Sequence, residues 1–74
     1  MNKNPTFSLY VRHVGGRQEA ARRLGISVGM VGHIETGIRG VSPQVAMKVE
    51  ADTGGLISRG QLRPDLWASA QEAA

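Results

Sequence analysis

Nine positions between residues 17 and 39 hold the groups with which this chain could recognise another molecule: Arg17, Gln18, Ser27, Val28, Gly29, Gly32, His33, Thr36 and Arg39. A guanidinium offers a rigid fork of donors that matches phosphate oxygens. Gln, Ser, His and Thr can each donate or accept a hydrogen bond. Val28 presents methyl groups, and a glycine lets a backbone come close to its partner. Such a set suits contact with a polyanion that also displays polar edges, and it is a poor set for making or breaking bonds. The chain has no cysteine, so His13 and His33 have no thiol nucleophile to activate, and two isolated histidines are too few for a metal site. Glu50 and Asp52 stand two apart on a helical pattern and point in different directions, which is wrong for shared acid-base work. Gly15-Gly16 and Gly54-Gly55 read as helix terminators, because neither follows a strand as a phosphate-cradling loop does. The expectation is a binding protein without catalytic residues, cofactor or metal.

Those nine positions need elements to hold them. Asn4 is a good cap and Pro5 is tolerated at a first helical position, so a helix starts there, with Phe7, Tyr10, Val11 and Val14 on one face until Gly15-Gly16. A second runs from Arg17 to Leu24, with Ala20, Ala21 and Leu24 inward and Arg17, Arg22 and Arg23 toward solvent. The small side chains at 20 and 21 let another helix approach. Gly25 then takes the left-handed conformation needed for a sharp turn. Ser27 caps a third helix reaching Thr36 and Gly37, with Val31 and Ile34 inward. After a loop from Ile38 to Val41, Ser42 and Pro43 start a fourth, with Val45, Ala46 and Val49 as its inward stripe. Leu56-Ile57-Ser58 is compatible with a short extended strand, and Arg59 to Leu62 with one helical turn before Pro64. Residues 1–67 form the expected domain and residues 68–74 a flexible tail.

At 74 residues the core is small, since a chain of this size buries only about 60% of its unfolded surface, and dimerisation would help it. No apolar run approaches the roughly 20 residues needed to span a bilayer, and no basic-then-apolar leader opens the sequence, so a cytoplasmic, membrane-free protein is expected. The formal charge is +3, and it is unevenly spread. Residues 1–40 carry six basic against two acidic side chains, or +4, whereas residues 41–74 carry three against four, or −1. The positive field surrounds the nine positions.

From Arg17 to Thr36 the spacing is that of a helix-turn-helix: two short helices, a turn containing glycine, a small residue at Ala21 where the helices cross, and an apolar plug of Ile26, Val31 and Ile34. Such a unit reads duplex DNA by laying its second helix in a major groove about 12 Å wide while the first crosses the backbone. Ser27, His33 and Thr36 are then placed for base edges or phosphates and Val28 for a thymine methyl. Arg17 and Gln18 stand at a helix start that favours a phosphate, and Arg39 adds a contact beyond the recognition helix. Gly29 and Gly32 either let the backbone approach the groove floor or simply weaken the helix. Arg22 and Arg23 read as a solvated face.

The chain resembles the Cro-like phage repressors, in particular their YdaS-type antitoxin branch, from about Val11 to Trp67. The resemblance is carried by Val14-Gly15-Gly16-Arg17-Gln18, by Ala20-Ala21-Arg22-Arg23-Leu24-Gly25-Ile26-Ser27, by Val45 to Gly55, by Leu56-Ile57-Ser58-Arg59 and by Leu62-Arg63-Pro64-Asp65-Leu66-Trp67. It departs in the recognition helix, Val28-Gly29-Met30-Val31-Gly32-His33-Ile34, where that family commonly shows a glutamine, serine or proline-containing segment and often a tryptophan. The resemblance implies an all-α, four- to five-helix domain of the lambda-repressor/Cro-like kind. It also implies an operator-binding regulator of prophage or toxin-antitoxin origin, and the leading expectation is sequence-specific binding of a double-stranded DNA operator as a homodimer on two half-sites. The alternative is a module that binds a toxin or another regulator through the same helices. The terminal Arg63 to Trp67 stretch is expected to pack, with Trp67 over the core and Asp65 capping or pairing locally.

Overall fold

A computed structural model describes residues 3–67. Every regular element among them is helical: α1 (Pro5–Val14), α2 (Arg17–Leu24), α3 (Val28–Thr36), α4 (Pro43–Asp52) and α5 (Arg59–Leu62), with one more helical turn at 64–67. The tail expected at 68–74 lies outside the described residues. The chain divides after Gly40 into two compact units.

In the first unit each helix packs against the other two. Asn4 starts α1, its side-chain oxygen accepting from the Phe7 N–H at 3.0 Å with Pro5 behind it. Phe7, Tyr10 and Val11 are buried, the two rings 6.1 Å apart, while Val14 is only half-buried. The inward residues of α2 are Ala20, Ala21 and Leu24, and those of α3 are Val31 and Ile34. Between them Gly25 sits at φ 70°, a left-handed turn in which both its own N–H and that of Ile26 donate to the Ala21 carbonyl, at 2.9 and 3.1 Å. Ser27 Oγ accepts from the Met30 N–H at 3.0 Å and starts α3. The result is two helices joined by a three-residue turn.

In the second unit Ser42 Oγ accepts from the Val45 N–H at 3.2 Å, and Val45, Ala46 and Val49 are buried. The segment 56–58 is a turn, not the short strand its apolar residues suggested. Thr53 Oγ1 donates to the Val49 carbonyl at 2.9 Å and accepts from the Ile57 N–H at 3.1 Å, folding the segment back on the end of α4 with Ile57 buried. Ser58 then opens α5 through a reciprocal cap: its hydroxyl accepts from the Gln61 N–H at 3.1 Å while Gln61 Oε1 accepts from the Ser58 N–H at 2.8 Å. The Arg59 N–H, in the first turn, donates to Glu50 Oε2 at 3.0 Å. Arg63 grips Asp65 with two hydrogen bonds, 3.0 and 2.7 Å, and donates from Nη1 to the Val41 carbonyl at 2.9 Å. The paired Asp65 carboxyl lies below the usual carboxylate range, chiefly through that Arg63 hydrogen bond. Trp67 is half-buried, with the Arg59 guanidinium 5.2 Å from its ring centroid.

Candidate nucleic-acid interface

The first unit holds all nine positions singled out by the sequence. Arg17, Gln18, Ser27, Val28, Gly29, His33, Thr36 and Arg39 are exposed and Gly32 is half-buried. Ser27, Thr36 and the glycines turn out to be constrained differently from the rest. The Ser27 hydroxyl is engaged as the α3 cap, which leaves its own O–H to offer a partner. Thr36 spends its O–H on the Gly32 carbonyl at 3.0 Å and keeps only acceptor capacity. A β-carbon at Gly29 would meet nothing nearer than Ser27 Oγ at 3.9 Å, so internal packing does not demand glycine there.

At Gly32 the structure shows a close neighbour that neither sequence reading anticipated. A β-carbon there would lie 3.1 Å from Arg17 Nη1 and 3.5 Å from Cζ, so the Arg17 guanidinium from α2 lies across α3 where residue 32 has no side chain. Glu35, one turn along α3, accepts from Arg17 Nε at 2.7 Å. Its other oxygen accepts from the Ser8 hydroxyl of α1 at 2.8 Å, and its carbonyl from the Asn4 N–H at 3.0 Å. One carboxylate thus ties three helices. Arg39 is held beside the same helix, its N–H donating to the His33 carbonyl at 3.1 Å. Its guanidinium makes no ion pair among the described residues.

Arg22 and Arg23 both pair with Glu19 on α2, Arg23 Nε at 2.9 Å from Glu19 Oε2 and Arg22 to both carboxylate oxygens. That arrangement agrees with a solvated face. The hydrogen bonds from Arg22, then Arg23, lower the Glu19 pKa from 4.5 to about 2. A depressed carboxylate contributes stability above its unfolded value and loses it as pH falls through the folded one, so the contribution from Glu19 is expected to fade between about pH 4.5 and 2. A carbon-detected NMR titration should put the Glu19 midpoint near the lower end of that window, and a midpoint at 4 or above would contradict the pairing.

Sequence reasoning overlooked Glu35 and Ser8. It also overlooked a hollow of about 370 Å³ lined by Lys3, Pro5, Ser8, Arg12 and Glu35. Glu35 lies 18 residues from Arg17 and 27 from Ser8, separations at which no periodic signal survives.

No helix among the described residues is long and apolar enough to cross a membrane, and none of their acidic and histidine side chains cluster as a metal site would require. A family model described as "Bacterial toxin YdaS" matches residues 7–70. No curated protein and no solved structure matches the chain.

Proposed function

The chain belongs to the Bacterial toxin YdaS family, and we propose that within it this protein is a sequence-specific, double-stranded-DNA-binding regulator that reads the major groove with α3. One observation carries the reading: a helix whose outer face is exposed from Val28 to Thr36 is flanked by the guanidinium groups of Arg17 and Arg39, in the half of the chain whose formal charge is +4. An α-helix preceded by a second helix and a tight turn fits a major groove, and flanking arginines supply phosphate contacts. His33 and Gln18 are the side chains freest to meet base edges or phosphates, with Ser27 donating, Thr36 accepting and Val28 against a thymine methyl.

A symmetric homodimer on two half-sites about one helical turn apart is the assembly proposed, in the cytoplasm where its operator lies. The family description says toxin, whereas the sequence resemblance implied an antitoxin. In this reading toxicity follows from occupying DNA and silencing the genes beside it, with no catalysis required. A cognate protein partner is the alternative, and it accounts for the positive charge of residues 1–40 only if that partner is acidic.

Fluorescence-anisotropy titration against fragments of the protein's own promoter and against random duplex, at several salt concentrations, tests the proposal. Expected is tighter binding to a promoter fragment, with log affinity falling linearly with log salt at roughly 0.9 per phosphate neutralised. Equal affinity for random duplex overturns sequence specificity, and binding indifferent to salt overturns DNA recognition.

A further inference from the structure

Arginines on small surfaces usually sample many rotamers, and ordering one costs entropy at the moment of binding. Arg17 already has partners within its own chain. Its Nε is fixed by Glu35 Oε1 at 2.7 Å, its Nη1 edge rests against the bare backbone of Gly32, and its side chain is still 52% exposed. Glu35 is the fixed end of this arrangement, since its side chain is only 15% exposed and its second oxygen is held by Ser8. Neither Nη group of Arg17 donates a hydrogen bond to the described residues.

We infer that Glu35 and Gly32 are positioning residues for the proposed DNA contact, presenting the Nη edge of Arg17 beside the outer face of α3 to a backbone phosphate. The inference rests on the proposed function above. A guanidinium whose Nε is taken by a carboxylate keeps its two Nη groups for a second oxyanion, so one side chain can serve both. The neighbouring carboxylate lowers the net attraction for phosphate, but it removes the search over rotamers. Gly32 then has a reason of its own: a side chain there crowds the Arg17 guanidinium, which must shift to make room.

Three variants and one double variant separate this from a merely structural ion pair. Arg17→Ala is expected to weaken duplex binding about tenfold and to lower the slope of log affinity against log salt by about one. Glu35→Gln is expected to weaken binding roughly three- to tenfold when Arg17 is present and to have no further effect in the Arg17→Ala background, because the two act through one contact. Gly32→Ala replaces a helix-weakening residue, so its Tm should hold or rise, yet its affinity should fall as the new methyl shifts the guanidinium. A purely structural role predicts that affinity follows stability, whereas positioning predicts that the two part company at residue 32.

If Glu35→Gln and Gly32→Ala both bind as the parent does, with unchanged salt slope, the inference is overturned while the proposed function stands. Additive losses in the double variant overturn it too. If the parent chain shows no salt-dependent duplex binding, the functional reading fails first and this inference with it. Should Glu35→Gln melt at a much lower temperature, Gly32→Ala decides alone.

Discussion

Replacing Phe7 by alanine is expected to lower the melting temperature by at least about 15 °C, among the largest stability effects that a single truncation among the described residues should produce. The ring is fully buried, and removing a buried phenylalanine typically costs about 3–5 kcal/mol through lost transfer energy and the cavity left behind. A chain of this length has a total stability of roughly 4–11 kcal/mol, so the loss is comparable with everything holding the fold. No disulfide offsets it, because cysteine is absent. Leu9, two residues along the same helix and 52% exposed, is the control, since its truncation should change stability by no more than about 0.5 kcal/mol. Thermal melts followed by circular dichroism will decide, and a shift under 5 °C for Phe7→Ala would mean that α1 contributes little to the packing of its unit.

That contrast was legible from spacing alone, because Phe7, Tyr10 and Val11 fall on one helical face and Leu9 does not. The same holds for the starts of α1, α3 and α4, where a capping side chain at Asn4, Ser27 or Ser42 satisfies an amide three residues on. Caps and helix faces are local physics, and local physics is written in adjacent letters. The misreading at 56–58 came from weighing Leu56 and Ile57 as strand formers and assigning Ser58 to them, when Ser58 with Gln61 is the capping box of the helical turn expected at Arg59 to Leu62. The tie among Ser8, Arg17 and Glu35 is of another kind. It depends on how three helices pack, and nothing in the identity of a glycine at 32 says that an arginine 15 positions earlier will lie across it. Part of the candidate site was therefore readable as a list of exposed polar groups, while the order imposed on that list was not.

Val28→Glu separates fold from function more sharply than any alanine scan of the arginines. Val28 is the first residue of α3 and 44% exposed, and no acidic residue occupies that helix's first turn. A carboxylate there faces the positive end of the helix, which typically stabilises by about 0.3–1 kcal/mol, so the variant should melt a few degrees higher than the parent. On DNA the same charge would sit at the leading end of the recognition helix, among phosphates and acceptor-rich base edges, where juxtaposed like charges cost several kcal/mol. Duplex affinity should then fall by more than tenfold, and most steeply at low salt, where screening is weakest. Protein-only recognition predicts no such link between added negative charge and lost duplex binding. Paired thermal melts and anisotropy titrations of parent and variant at two salt concentrations are sufficient. A variant that is more stable and binds duplex undiminished would remove α3 from the groove.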